Sequence, residues 1–195
     1  MTPLLAIAAL FFVAAITPGP NNLIVMRRAA RVGFLRAMLP VAAIVAGSVA
    51  LLAVVIGGLG SAISEWPLLG VLLGAGGAAY LIWLGLRLAW ANGAGTDDPK
   101  LPADALGIFI FQFANPKAWL MMVTAVAASP TTGARASFVR LVPLAILIPA
   151  ACLLLWAALG HALSRQLAEP RVRLWTDRIF GLLLIAGALP LLDRP

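Results

Sequence analysis

Long apolar runs, separated by short polar or proline-rich stretches, extend along the whole chain. Runs long enough to cross a membrane are predicted at Leu4–Met26, Ala37–Leu59, Leu68–Trp90, Ala105–Ala128, Phe138–Leu163 and Arg178–Leu192. A helix rises about 1.5 Å per residue, so the fourth run would be roughly 36 Å long, enough for a bilayer core of about 30 Å. The pattern therefore predicts an all-α integral membrane protein with six transmembrane helices.

Two of the six predicted helices, the first and the fourth, are broken by polar residues and proline. The first break contains Thr17, Pro18, Gly19, Pro20, Asn21 and Asn22, and the second contains Asn115, Pro116 and Lys117. Proline interrupts a helix, and a lysine in mid-membrane costs roughly 2.5–3.5 kcal/mol on insertion scales. Irregular backbone at this depth is tolerated only where it is buried in protein or lines a wet cavity. Matching breaks in two halves of a chain are typical of transporters built from repeats.

Basic residues collect in the connections after the first, third and fifth spans. These connections hold ten of the 14 lysines and arginines, namely Arg27, Arg28, Arg31, Arg36, Arg87, Lys100, Arg165, Arg171, Arg173 and Arg178. The bias predicts that these connections are cytoplasmic and that both termini are non-cytoplasmic. Three spans per half then require the halves to have opposite orientations. We expect two inverted three-helix repeats, about 1–95 and about 100–195, in one transmembrane domain that covers residues 1–195.

Composition and charge exclude most other classes of protein. Hydrophobic residues make up 63% of the chain and charged residues 11%, with a mean hydropathy of +1.03. Topology and anionic lipid account for the net charge of +7, so no nucleic-acid partner is expected. A single cysteine, a single histidine and the lack of a phosphate-binding loop argue against a disulfide, a metal centre and an ATP-driven pump. No cofactor is expected.

The residues at the two breaks form the predicted substrate site. The half-helix after the first break offers free N–H groups and a positive dipole end to a carboxylate. Asn21, Asn22, Gln112 and Asn115 supply neutral donors and acceptors, and Lys117 supplies the only full charge at that depth. Such a cavity suits a small zwitterion. The alternative is that Lys117 only holds the open carbonyl groups of the first span and touches no substrate.

Two aromatic residues are added to this site, and one pair of glycines bears on assembly. Tyr80 and Trp156 lie deep within predicted spans, where their polar tips need partners.

Gly70 and Gly74 form a small-xxx-small pair, which is typical of close helix packing within one chain or across a homodimer.

Acidic residues are missing from the middle of every predicted span. This argues against a carboxylate proton carrier, a sodium site or another hard-cation site. If export is coupled to protons, Lys117 or His161 must titrate, or the substrate itself must carry the charge difference. We favour Lys117 because it lies deeper and next to a break, whereas a lone histidine at a membrane boundary is more often an anchor.

The motifs at the breaks resemble those of a known family. Thr17–Asn22, Gly77–Gly85 and Asn115–Ala118 are similar to the LysE/RhtB family of amino-acid exporters, and the resemblance covers nearly the whole chain. Gln112–Asn115 and Trp156–His161 look most like the branch that exports cysteine and O-acetylserine. The resemblance implies a multi-pass protein of the bacterial inner membrane that exports amino acids or related small metabolites, driven by the proton gradient. Pro40–Gly47 departs from the family's glycine-rich second span, which leaves the substrate open.

Two alternatives to a secondary exporter of amino acids remain at this stage. A metal or ion exporter of related architecture would need acidic, histidine or cysteine ligands, which are scarce. A non-transporting membrane enzyme or assembly subunit would need a catalytic constellation, and none is seen in the sequence. The sequence therefore predicts a transporter and not an enzyme.

Overall fold

The structure is a computed structural model that describes residues 3–59, 65–90, 102, 104–129 and 133–192. The described residues form helices and their connections, without strands. In chain order the helices are α1 Pro3–Ile16, α2 Pro20–Val32, α3 Met38–Val54, α4 Pro67–Ala89, α5 Ala105–Ala114, α6 Pro116–Ala127, α7 Ala134–Ala162, α8 Ser164–Ala168 and α9 Pro170–Leu192. A short 3-10 turn, Leu35–Ala37, leads into α3, and a π turn, Val55–Leu59, follows it. The prediction of an all-helical protein is confirmed.

Both predicted breaks divide a span into two half-helices. The axis bends by 52° between α1 and α2 and by 62° between α5 and α6. In each case a proline, Pro20 or Pro116, occupies the first position of the second half-helix. Proline suits this position because its missing N–H would have no partner in the first turn of a helix. The sequence therefore stops one half-helix and starts the next at the same point.

Three helical segments among the described residues are long and apolar enough to cross a membrane. They are Leu35–Gly58, Gly70–Ala89 and Ala134–Ala162, and each bent pair would add one span if it crosses as a unit, which gives up to five. The sixth predicted span, Arg178–Leu192, lies within α9, which is not among these candidates. Most of the connection between the third and fourth predicted spans, residues 91–101 and 103, falls outside the described residues. The six-span count stays a prediction.

Two helix boundaries differ from the sequence-based prediction because charged residues continue the helix. The first span was predicted to end at Met26, but α2 continues through Arg27 to Val32. The last span was predicted to begin at Arg178, but α9 begins at Pro170 and includes Asp177. Arg27 and Asp177 form an ion pair in which both side chains are largely buried. Their mutual neutralisation allows helix to extend where the sequence suggested a loop.

Glycines allow two long helices, α4 and α9, to pack closely. A Cβ added to Gly85 on α4 would lie 2.6 Å from the carbonyl oxygen of Gly181 on α9, and one added to Gly181 would lie 2.5 Å from that of Gly85. Only glycine permits this approach of two backbones, which is the usual device for helix pairs in membranes. α7 contacts α1, α2 and α3, and α3 contacts α5 in turn. The two broken spans are thereby held against each other at their bends.

Candidate functional site

Lys117 joins the two helix breaks directly. Its Nζ donates hydrogen bonds to the carbonyl oxygen of Thr17 at 2.7 Å and to the Thr17 hydroxyl oxygen at 2.8 Å. The carbonyl oxygen of Pro18 lies 3.5 Å away, at the limit of a hydrogen bond. The lysine is in the first turn of α6, and its partners follow the last turn of α1. A full positive charge therefore lies at the carboxyl end of α1, which the helix dipole makes favourable for a cation.

Gly19 gives the Lys117 side chain room to cross the first break. A Cβ added to Gly19 would lie 3.2 Å from Lys117 Nζ and 3.4 Å from its Cδ. The backbone of Gly19 is extended, with φ −167° and ψ 177°, so any residue could adopt its conformation. The glycine is needed for space and not for its conformational freedom.

A second link between the breaks is an amide pair. Asn21 Nδ2 donates to Gln112 Oε1 at 2.9 Å, and Gln112 Nε2 donates back to Asn21 Oδ1 at 3.1 Å. Gln112 is fully buried and also donates to the carbonyl oxygen of Ile108 at 3.2 Å. The start of α2 is therefore fixed to the end of α5 by two hydrogen bonds without any charge.

Side chains from elsewhere satisfy the open carbonyl groups at the end of α1. Asn22 Nδ2 donates to the carbonyl oxygens of Ala15 at 3.0 Å and Thr17 at 2.8 Å. Trp156 Nε1, from α7, donates to the carbonyl oxygen of Ile16 at 3.2 Å. Such groups need partners because lipid offers none. The first break is thus stabilised by a lysine, an asparagine and a tryptophan.

The second break uses a local cap. Asn115 Oδ1 accepts a hydrogen bond from the Lys117 backbone N–H at 3.1 Å, as an N-cap residue does at the start of a helix. At the end of α5, the carbonyl oxygen of Phe113 accepts a hydrogen bond from Trp119 Nε1 at 2.8 Å. Pro116 packs so closely on Gly77 of α4 that a Cβ there would collide with it. These contacts hold the lysine-bearing turn in place.

A small cavity lies where the two breaks meet. It has a volume of about 40 Å³, which has room for no more than a few waters. Of the predicted site residues, the structure brings six to its walls: Gly19, Pro20, Asn21, Asn22, Asn115 and Lys117. Ligand pockets are usually roughly 300–1,000 Å³, so an amino acid requires the cavity to widen. In this conformation the polar groups of the two breaks are hydrogen-bonded to each other.

The remaining predicted residues lie outside the cavity walls. Thr17 and Gln112 hydrogen-bond to residues that line it, and Trp156 reaches the end of α1. Tyr80 instead packs against Trp83 and Phe111, with both ring centroids 5.9 Å away. The two other predicted residues, Pro18 and Pro116, shape the breaks themselves.

His161 is exposed near the end of α7 and far from the cavity. Leu153 is the last residue of α7 that lines the cavity, and His161 follows it by eight residues (161 − 153), or about 12 Å along the helix. Among the described residues, no group of three or more histidine, cysteine, aspartate or glutamate side chains could hold a metal ion.

Sequence reasoning missed three residues of this region. Ser48 of α3 and Pro149 of α7 line the cavity, and both are buried. Trp119 caps the end of α5. The signal for Pro149 was available, because a proline inside a predicted span marks another irregular helix. Nothing in the local sequence distinguishes Ser48 from a serine that only packs, and its role depends on which helices meet.

Comparisons with known proteins show which family the chain belongs to. The family model described as "LysE type translocator" matches residues 12–194. A cysteine/O-acetylserine efflux protein of Salmonella typhimurium is 30% identical over 169 residues, which cover 85% of this chain and 87% of that protein. The protein of the same name from Escherichia coli O157:H7 is 30% identical over 193 residues, or 97% of this chain and 98% of that one. No solved structure matches significantly. The chain therefore belongs to the LysE type translocator family, whose members are transporters and not enzymes.

Proposed function

We propose that this chain is a secondary exporter of small amino acids of the cysteine and O-acetylserine type, and that the two helix breaks bind the substrate. Amino-acid export is the function that the family and the named relatives support. The observation that carries the site is the contact of Lys117 Nζ with the open end of α1, beside a small cavity lined by amides. A cation, neutral amides and apolar walls are what a zwitterion with a small side chain requires.

The two half-helix ends suggest how a zwitterion would bind. The carboxyl end of α1 attracts a cation, and Lys117 Nζ occupies that position in this structure. The first turn of α2, with the backbone N–H groups of Asn21 and Asn22, attracts an anion. An incoming amino acid would place its ammonium group on the Thr17 carbonyl and its carboxylate near α2. Lys117 would then turn from the carbonyl to the carboxylate, because a hydrogen bond between two charged groups is the stronger one.

The repeat architecture that we propose is supported by a constant sequence offset. Pro20 and Pro116 open corresponding half-helices and are 96 residues apart (116 − 20). Gly85 and Gly181, which face each other between α4 and α9, are also 96 apart (181 − 85). A two-fold axis between inverted repeats would pair a residue with its own counterpart in this way. We therefore retain repeats at about 1–95 and about 100–195, and six spans.

The orientation that we propose has the arginine-rich ends in the cytoplasm and both termini outside it, in a bacterial inner membrane. The ion pair between Arg27 and Asp177 supports this, because it brings the first and fifth connections to the same end of the molecule. Coupling to protons through Lys117, and not through His161, is part of the proposal. A homodimer is a further expectation, best tested by cross-linking in native membranes.

Transport by inverted membrane vesicles tests the proposed function. Vesicles from cells that express the chain should accumulate labelled cysteine and O-acetylserine when a pH gradient is imposed, and vesicles from cells without it should not. Unlabelled lysine and leucine, which differ from these substrates in charge and size, serve as competitors. We expect them to inhibit uptake less than the unlabelled substrates do. If the chain exported a metal or another ion instead, the vesicles would accumulate none of the amino acids. That result would overturn the proposal.

A further inference from the structure

Ser48 is the one polar side chain of α3, and it lies in the wall of the cavity between the breaks. The residue is buried, with 2% of its surface exposed. Among the described residues, none forms a hydrogen bond with its hydroxyl group. A serine or threonine in a helix often turns its hydroxyl to the carbonyl oxygen one turn earlier, as Thr17 does with that of Val13. The Ser48 hydroxyl is therefore available to a ligand in the cavity.

Close packing of α3 on α5 sets the direction of the Ser48 side chain. A Cβ added to the preceding residue, Gly47, would lie 2.7 Å from the carbonyl oxygen of Phe109 and 2.6 Å from Cγ of Gln112. The backbone of Gly47 therefore lies directly against α5. Consecutive residues of a helix are turned by about 100°, so Ser48 points to one side of α5, into the cavity wall. Backbone packing, and not a hydrogen bond of its own, fixes the position of this hydroxyl.

The cavity walls that come from α3, α6 and α7 are otherwise apolar. Ile44 lies one turn before Ser48 on α3, and Met121 of α6 and Leu153 of α7 also line the cavity. In the binding mode proposed above, the ammonium and carboxylate groups of the substrate occupy the breaks. The substrate side chain is then left to these apolar walls and to Ser48. Met121 can make room for it, because its unbranched side chain has three rotatable bonds.

A single hydroxyl in an apolar wall favours side chains that carry one hydrogen-bonding atom. The hydroxyl can donate to an ester or hydroxyl oxygen and can accept from a thiol or a hydroxyl, because its proton is free to rotate. An alkyl side chain of the same size would cover the hydroxyl without offering a partner, which weakens binding. A charged side chain would lose its hydration against the apolar walls. The favoured class is an alanine with oxygen or sulfur on its β-carbon.

We propose that Ser48 binds the oxygen or sulfur atom on the β-carbon of the substrate and thereby determines which amino acids are exported. This inference rests on the proposed function, because it assigns the side-chain end of the same site. It adds a residue of α3 to a cavity whose other polar side chains come from the two breaks. One hydroxyl would serve both proposed substrates, since the thiol of cysteine is a weak donor and the ester of O-acetylserine only accepts.

Competition for the uptake of labelled O-acetylserine by inverted vesicles tests the proposal. The unlabelled competitors are serine and α-aminobutyrate, which differ only in that a methyl group replaces the hydroxyl. Ser48→Ala should lower the inhibition by serine, relative to that by α-aminobutyrate, about 2- to 10-fold. The matched control Ser137→Ala alters a buried serine of α7 that does not line the cavity, and it should keep the wild-type ratio.

Two further variants separate recognition by the hydroxyl from a structural effect. Ser48→Thr keeps the hydroxyl and should keep the ratio close to that of the wild type. A ratio as low as that of Ser48→Ala would instead overturn the assignment. If Ser48→Ala does not insert, Ser48→Cys offers a weaker donor of similar size and should lower the ratio in the same direction. An unchanged ratio in Ser48→Cys would then overturn the assignment.

The outcomes also distinguish this inference from the proposed function. If wild-type vesicles accumulate no amino acid, the proposed function fails and the role of Ser48 fails with it. If they accumulate O-acetylserine and Ser48→Ala keeps the wild-type ratio, only the role of Ser48 is overturned. An equal change in Ser137→Ala would show that the effect does not come from the cavity wall, and it would overturn that role as well.

Discussion

Replacing Lys117 by methionine should abolish most transport and leave the fold intact. The substitution keeps the length and apolar stem of the side chain and removes only the charged group. In the structure that group donates to the carbonyl oxygen and the hydroxyl oxygen of Thr17. Thr17 keeps other partners, since its carbonyl oxygen accepts from Asn22 Nδ2 and its hydroxyl lies 2.8 Å from the carbonyl oxygen of Val13. The variant therefore leaves both oxygens of Thr17 hydrogen-bonded.

Two opposing terms set the effect on stability. Each hydrogen bond to a charged group contributes about 1.5–3 kcal/mol, so two of them give about 3–6 kcal/mol. Removing the charge relieves an insertion cost of roughly 2.5–3.5 kcal/mol at mid-membrane depth. The difference is a loss of about 0–3 kcal/mol, at the low end because Thr17 keeps its other bonds. Transport has no such compensation: losing one charge-assisted bond to the substrate carboxylate lowers export about 10- to 150-fold.

Reconstituted vesicles and thermal unfolding in detergent measure the two effects on the same purified protein. Lys117→Arg is the matched control, because it keeps the charge but not the compact ammonium group, and we expect partial export. Normal export by a well-inserted Lys117→Met variant would refute the substrate role and leave the lysine as a cap of α1. Failure of the variant to insert would refute the calculation of stability instead.

Three further substitutions test the breaks, the helix packing and the coupling. Pro18→Ala with Pro20→Ala should join α1 to α2 and abolish transport, while the unfolding temperature stays equal or rises. Normal transport by this double variant would show that the break is not needed for function. Gly181→Ala should lower the free energy of unfolding by about 1–3 kcal/mol, because its Cβ would lie 2.5 Å from a backbone oxygen. The control Gly187→Ala, whose Cβ would have nothing within 4 Å, should not lower it. Equal unfolding temperatures of the two variants would contradict the close contact. His161→Ala should retain pH-driven export. If this variant no longer exports in response to a pH gradient, the histidine is the proton site.

The helices could be predicted because the membrane imposes long apolar runs. The ends of the helices were harder to predict where charged residues form ion pairs with residues far away in the sequence. The sequence suggested that α9 would begin at Arg178, because Arg171, Arg173 and Asp177 are poor residues for a span. In the folded chain Asp177 meets Arg27 from the first half, and helix continues through both. A single sequence contains no sign of that pairing, since the two residues are 150 positions apart.

The site could be predicted only in part, for a similar reason. Proline breaks and an intramembrane lysine are local signals, so the residues at both bends could be named in advance. Their partners could not: that Asn21 would meet Gln112, or that Trp156 would donate to Ile16, depends on how the bent helices cross. Ser48 shows the limit, because its hydroxyl matters only through its place in the cavity wall.

The two breaks are alike in shape and unlike in charge, and this difference would give the proposed substrate site a direction. With the offset of 96, Asn21 corresponds to Lys117 (117 − 96), and each reaches across to the end of the other half's first half-helix. Asn21 does so with a neutral amide on Gln112, and Lys117 with an ammonium group on Thr17. A symmetric pair of neutral breaks could bind a zwitterion in either direction. In the binding mode that we propose, one cation at one break favours a single direction, with the substrate carboxylate toward Lys117. The same group would bind the α1 carbonyl groups when no substrate is present.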